Sequence, residues 1–306
     1  MSNAHTKIAL YASYQTGKEL PGYIKFALKH LSETDFHVVL LTNSRELSNE
    51  TYEFLADNDI ELFFTENHGF DFGMYRRYLQ LRSNSIASAS CAGQQESSIN
   101  NLERLLLLND SVIYYQNKFS EYFEQAENSS ADVVSLTCSN EFSPHLLTFF
   151  LYMKQPALGA FYMFLFETPE QDTPQNLARN LQFPLSDSFM DAGVHMDSIF
   201  QTEKQASFAY PELIRQGAGF IKVKLLQGVY TYKEQLRFIE NGEYDSLHAN
   251  YAELVKQAGL APDFDEKWLP TSLRETAQRK ILWPALNFVT KIKNKLFKKP
   301  VKNDGQ

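Results

Sequence analysis

Leu105-Leu106-Leu107-Leu108-Asn109-Asp110-Ser111 decides how this chain is read, because an unbroken apolar run stops abruptly at three small polar residues. Such a run predicts a strand buried on both faces, as in the middle of a parallel sheet covered by helices. In open α/β sheets, ligands sit in the crevice outside the C-terminal ends of the strands. Asn109, Asp110 and Ser111 are therefore the first candidates for a site. The same residues also suit an Asx-type turn that satisfies local backbone groups, and the sequence leaves both readings open.

Outward from this stretch, strands alternate with helices. Lys7–Ser13 reads as a first buried strand, Tyr23–Leu31 as a helix, Phe36–Thr42 as a second strand and Ser48–Asp57 as a helix capped by Ser48. Ile60–Thr65 is a third strand, leading through Asn67-His68-Gly69-Phe70-Asp71-Phe72-Gly73 into a helix over Met74–Leu81. After the central strand, Asn117–Glu127 has helical spacing and Asp132–Thr137 reads as another strand. Leu146–Met153 is apolar enough for a core helix or strand. Phe161–Phe166 is expected as a strand returning to the sheet, and Phe189–Asp197 as the start of a helix. Phe220–Leu226 alternates like a late strand. Residues 84–100, rich in small polar side chains, read as a surface insertion. The alternation predicts an α/β fold with a mostly parallel central sheet flanked by helices.

At 306 residues the chain can bury a large core in one large or two smaller domains. A net charge of -8 argues against a general nucleic-acid binder, which carries a basic excess. The two cysteines, Cys91 and Cys138, are too few for a disulfide framework. No apolar run reaches the length of a membrane span and no leader pattern is visible, so the expected location is the cytoplasm. No His pair has zinc-ligand spacing and there is no Gly-x-Ser-x-Gly elbow, which sets zinc hydrolysis and acyl transfer aside.

Three further places carry candidate chemistry. Gly69 and Gly73 at a strand-to-helix turn allow positive φ and close approach of backbone to a ligand, and Asp71 either binds part of a nucleotide or caps the helix. His145 precedes an apolar run, where a lone histidine is more often structural. Asp191 and His195 are four apart and would share a helix face. Asp191 in the first turn of that helix would equally be a carboxylate favoured by the helix dipole.

Taken in order, Asn67–Gly73 (NHGFDFG), Leu107–Ser111 (LLNDS), Asp132–Thr137 with His145 and Phe149-Phe150, and Phe220–Leu226 (FIKVKLL) resemble the rhamnan synthesis protein F family of polysaccharide glycosyltransferases. The same stretches resemble a diverged glycosyltransferase-A fold. This resemblance implies transfer of a sugar, with rhamnose one candidate, from a nucleoside diphosphate sugar to a hydroxyl of a cell-surface polysaccharide or lipid-linked glycan. It places Asn67, Gly69, Asp71, Gly73, Asn109, Asp110 and Ser111 around the donor, and Asp191 and His145 in catalysis, with Asp191 as the base. It also implies Mg²⁺ or Mn²⁺ at Asp110, although that motif ordinarily offers two carboxylates and here Asn109 and Ser111 flank a single one. Met190 likewise stands where the family's fold has Glu beside Asp191. The alternative is a catalytically inactive protein of the same fold that binds glycan or a partner enzyme.

The expected organisation is a catalytic domain over 6–235, a helical extension over 236–278 and a basic amphipathic tail over 279–306. From Arg279 to Lys302 there are eight basic residues and no acid, with Leu282, Leu286, Val289, Ile292 and Leu296 at helical spacing. That pattern suits either the anionic inner-membrane surface or docking on the acidic body of the protein.

Overall fold

The computed structural model describes residues 5–89, 101–140, 144–202 and 206–223. The expected extension and tail over 236–306, most of the 84–100 insertion, and Glu141 lie outside these residues. In chain order the elements begin β1 (Lys7–Ser13), α1 (Gly22–Ser32), β2 (His37–Thr42), α2 (Asn49–Asp57), β3 (Glu61–Phe64) and α3 (Phe70–Ala89). The middle of the chain forms β4 (Arg104–Asn109), β5 (Val112–Tyr114), α4 (Phe119–Asn128), β6 (Val133–Ser139), β7 (His145–Leu146) and β8 (Phe150–Lys154). It continues with α5 (Gln155–Glu167), a short α6 (Pro174–Leu177) running through a π-helical turn into α7 (Phe183–Asp191), then β9 (Met196–Phe200), α8 (Ala206–Arg215) and β10 (Phe220–Lys222).

The main sheet runs β3-β2-β1-β4-β8-β6-β7, with β9 also paired to β6. β1, β2, β3 and β4 are mutually parallel. β8 is antiparallel to both β4 and β6, so β6 points the same way as β4, and β9 is parallel to β6. The expectation of a mostly parallel α/β sheet holds. β10 pairs with β5 in a separate two-stranded ribbon.

The leucine run explains why both faces are covered. Side chains alternate along a strand, so Leu106 and Leu108 enter one core layer while Leu105 and Leu107 enter the other, all four at 0% exposure. Each such burial contributes about 2 kcal/mol. α1 and α4 close the first layer through Ile24, Ala27, Leu28, Leu31, Phe119, Tyr122 and Phe123. α3 and α5 close the second through Phe72, Met74, Tyr75, Leu79, Leu158, Phe161 and Leu165. A strand flanked on both sides this way has no polar-facing positions until the chain leaves the sheet, and that happens at Asn109-Asp110-Ser111.

Three expectations are corrected. Phe161–Phe166 is not a strand but the second half of α5. Gln155-Pro156 opens that helix, and its apolar side chains divide between a buried stripe (Ala157, Leu158, Phe161, Tyr162, Leu165) and an outer face where Met163 is 63% exposed. An apolar run of this length reads equally as a buried strand or a buried helix. Phe189–Asp197 does not start a helix. It ends one, since Gly193 adopts φ +71° and the amides of Gly193 and Val194 return to the carbonyls of Met190 and Phe189, a helix-terminating arrangement. Finally, α3 begins at Phe70 rather than Met74 and continues to Ala89, taking in the start of the stretch read as an insertion.

Candidate functional site

The chain passes from β1 outward to β2 and β3, then returns to the other side of β1 as β4. The strand order therefore reverses between β1 and β4, and a crevice opens at their C-terminal ends. Asp110 lies at that reversal. Its backbone amide donates to the Ala12 carbonyl at 3.1 Å, extending the β1–β4 ladder by one bond. Its Oδ2 accepts from the Tyr14 amide at 2.8 Å and the Ser13 hydroxyl at 3.1 Å. The Tyr23 hydroxyl donates to the Asp110 carbonyl at 3.1 Å. Two groups thus aim the side chain and two more hold its backbone, all from outside its own strand. No hydrogen bond from a described residue engages its Oδ1.

Asn109, Asp71 and Ser111 complete a polar chain. Asn109 Nδ2 donates to Asp71 Oδ2 at 2.8 Å, and the Phe72 amide donates to Asp71 Oδ1 at 3.0 Å. Asn109 Oδ1 accepts from the Ser111 hydroxyl at 2.6 Å and the Ser111 amide at 3.2 Å. Asp71 stands in the first turn of α3, where the helix dipole favours a carboxylate. Sequence positions 71 and 109 to 111 therefore converge in space, as the motif reading expected. The Asx-turn reading is also realised, because Asn109 Oδ1 holds the Ser111 amide while Nδ2 reaches the carboxylate of another element.

Burial dominates the electrostatics of this cluster. It raises the Asp110 carboxyl from 3.8 to about 6, with the Asp71 charge pushing the same way and the Tyr14 and Ser13 donors pulling against it. Burial also raises Asp71, opposed chiefly by the bond from Asn109. Two carboxyls that share a site and resist ionisation mark a functional candidate on physical grounds.

Gly69 and Gly73 have a local explanation. Gly69 takes φ +73° and the following Phe70 φ +54°. A Cβ on Gly73 would lie 2.0 Å from the carbonyl oxygen of His68, a contact no side chain can make. Asn67 is partly buried in the loop before this turn. Arg77 fastens the same loop, donating to the Thr65 hydroxyl and the Glu66 carbonyl at 2.7 Å each and to Glu170 Oε1 at 2.8 Å. His68 pairs with Glu170 and, at 3.3 Å, with Asp172.

Of the two residues expected in catalysis, Asp191 lies elsewhere. β9 pairs with β6 so that Met196 lies beside Val133, and β6 and β4 share register through β8, placing Val133 level with Leu105. Asp191 and His195 precede Met196. At about 3.3 Å of rise per residue they lie beyond the opposite edge of the sheet, roughly 15–20 Å from Asp110 along the strands. Asp191 is exposed at the end of α7, and His195 is exposed beside Asp132 at 3.4 Å. His145 does lie at the C-terminal edge, paired with Ser139, but it is only 4% exposed and its ring packs edge-on against Phe183 at 4.6 Å.

Several residues at the crevice escaped sequence reading. Ser13 and Tyr14 hold Asp110. Gln15 and Asn43 join the loops after β1 and β2 by reciprocal bonds of 2.7 and 2.9 Å. Lys222 on β10 donates to the Ser111 hydroxyl at 3.2 Å. A polar residue closing each buried strand (Ser13, Thr42-Asn43) was the available signal.

Among the described residues no group of three or more His, Cys, Asp or Glu side chains could hold a metal ion. Both oxygens of Asp71 accept protein hydrogen bonds, and no hydrogen bond from a described residue engages Asp110 Oδ1. Asp110 thus offers a divalent ion a single protein ligand, and such an ion draws its remaining ligands from water and phosphate oxygens. Among the described residues no helix is long and apolar enough to cross a membrane.

No family model matches the chain, and comparison with curated proteins gave no match. Similar solved structures include a cytidylyltransferase from Leptospira borgpetersenii (12% identity, TM-score 0.37, 65% of this chain and 76% of that one). They also include a glycosyltransferase involved in glycosylation of the major capsid of PBCV-1 (14%, 0.33, 70% and 93%). The apo-form glycosyltransferase GlyE of Streptococcus pneumoniae TIGR4 is a third (12%, 0.37, 71% and 54%).

Proposed function

We propose that this protein is a glycosyltransferase of the rhamnan-synthesis type, which moves a sugar from a nucleoside diphosphate donor to a hydroxyl of a polysaccharide or lipid-linked glycan. The observation that carries this reading is Asp110, held by Ser13 and Tyr14 at the strand-order reversal between β1 and β4. A nucleotide fits such a crevice because the loops after β1, β2 and β4 meet there and present backbone amides and short polar side chains. In this reading Asp110 and the Asn109–Asp71 pair orient the donor, and Ser111 completes the polar rim. A divalent ion, when bound, would neutralise the departing diphosphate; no step here depends on one.

The position of Asp191 favours a second reading, a protein of this fold that binds donor or glycan without transfer. The carboxylate expected as base lies at the opposite edge of the sheet, so the described part of the crevice holds only the Asp110–Asp71 pair beside the reversal point. Thermal stabilisation by a panel of nucleoside diphosphates and their sugars, with and without Mn²⁺ or Mg²⁺, tests the shared premise, since a ligand that binds only the folded state raises its stability. A selective shift that disappears in Asp110→Ala is expected; the absence of any shift refutes transfer and donor binding alike and leaves only glycan binding without transfer. Release of nucleoside diphosphate from the stabilising donor then separates transfer from binding alone.

A further inference from the structure

The turn that brings Asp71 to Asn109 is also fastened to a second segment, residues 168–173, which join α5 to α6. Glu170 lies on the turn itself, since a Cβ on Gly69 would be 3.2 Å from its side chain. Its Oε1 accepts from Arg77 Nη1 at 2.8 Å, and its Oε2 pairs with His68 Nδ1. His68 Nε2 lies 3.3 Å from Asp172 Oδ1. Arg76 ties the start of the segment to α3 by donating to the Leu165 and Thr168 carbonyls. Both ring nitrogens of His68 thus face carboxylate oxygens. An imidazolium donates from both nitrogens, whereas the neutral ring has one donor and one lone pair and can serve only one of the two acids. Glu170 keeps a cation when the ring is neutral, because Arg77 stays charged. Asp172 meets no other cation among the described residues.

The charged groups around the ring are Glu170 and Asp172 on the segment, Arg76 and Arg77 on α3, and the exposed Glu66 and Glu167 at the ends of the neighbouring elements. The Asp71 carboxylate is engaged by Asn109 and Phe72 instead. Although burial works to raise it, the bonds from His68 and Arg77 hold the Glu170 carboxyl below its usual range. Histidine is the side chain whose charge changes near neutrality. From this arrangement we infer that residues 168–173 are a proton-operated latch on the turn over 66–73. With His68 charged, Glu170 and Asp172 are both fastened and the turn that presents Asp71 is locked. With His68 neutral, Asp172 is let go and segment and turn open more often. The latch is therefore present at acid pH and is lost as pH rises, the sign for a histidine that gains a partner on folding. The inference involves no ligand, and it holds whether the crevice serves transfer or binding alone.

Amide hydrogen exchange of the full chain tests the latch, read by mass spectrometry on peptides covering 65–73 and 166–173 at about pH 5 and about pH 8. Rates are corrected for the intrinsic pH dependence of exchange, and peptides from β1 and β4 report any global change. Asp172 and His68 are largely exposed, with side chains at 80% and 59%. Exposed ion pairs are worth little, so opening should rise about two- to fivefold at the higher pH in the wild type. In His68→Gln, which keeps a donor but carries no charge, opening should stay at the higher level at both pH values. Asp172→Asn should flatten the dependence in the same way. An opening that does not vary with pH in the wild type overturns the inference. So does a dependence that survives in His68→Gln, which would belong to Asp71 and Asp110. A second measurement uses the wild type alone: two-bond ¹H–¹⁵N spectra should show His68 passing from imidazolium to the Nδ1–H tautomer over the pH range in which the turn loosens. A ring that titrates outside that range, or settles as the Nε2–H tautomer, would equally overturn it.

Discussion

Replacing Asp110 by Asn should make the protein more stable and less able to bind its ligand, and the gain should depend on pH. Burial raises the folded-state carboxyl from 3.8 to about 6. The folded protein therefore holds this proton more tightly than the unfolded chain does. The sign is opposite to that of a salt-bridged carboxylate: the contribution favours folding at low pH and is lost as pH rises from about 4 through about 6. At 1.4 kcal/mol per pH unit, ionising Asp110 in the fold costs about 3 kcal/mol at pH 8. Asparagine resembles the protonated acid in shape and can still accept from Ser13 and Tyr14. Asp110→Asn should thus gain up to about 3 kcal/mol at pH 8 and less than about 1 kcal/mol at pH 4. Since each kcal/mol moves the midpoint of a chain of 150–250 residues by about 2–4 °C, a rise of several degrees at pH 8 is expected. Melting curves of both proteins from pH 4 to 8, with urea unfolding at the two ends, measure it. A stability difference that stays constant across this range would refute the argument that a buried charge at Asp110 opposes folding.

Asn109→Asp removes the amide that donates to Asp71 and sets a third carboxyl in the cluster; a loss of about 1–3 kcal/mol is expected at pH 8, shrinking on acidification, and a pH-independent loss would contradict it. Gly73→Ala must displace the His68 carbonyl, which a Cβ would approach to 2.0 Å. Urea unfolding should register at least about 2 kcal/mol of destabilisation, and a neutral result would mean the turn at residues 68–73 is not as described. Asp191→Ala, at an exposed helix end far from Asp110, should leave the nucleotide-induced thermal shift within experimental error of wild type. A lost shift would return Asp191 to the site.

The sequence by itself determined the layers of this protein. The strands over Lys7–Ser13, His37–Thr42 and Arg104–Asn109 and the Ser48-capped helix follow from local rules, because an apolar run buried on both faces or a serine accepting from the amide three residues on has the same meaning wherever it occurs. The candidate residues at 109 to 111 were legible for the same reason, as polar groups that abruptly end a buried run, and Asp71 as an acid at a glycine-flanked strand-to-helix turn. Direction, partnership and distance were decided only by the tertiary structure. Whether Phe161–Phe166 is helix or strand depends on which neighbours bury Phe161 and leave Met163 outside, and an apolar run does not encode that. Asp191 and His195 are close in sequence to each other, but the parallel pairing of β9 with β6 sends them to the edge away from Asp110. Lys222 shows the converse. Its lysine is separated from Ser111 by 111 positions, and only the pairing of β10 with β5 sets its charge beside the crevice, since sequence spacing carries no information about contacts that a sheet makes between distant strands.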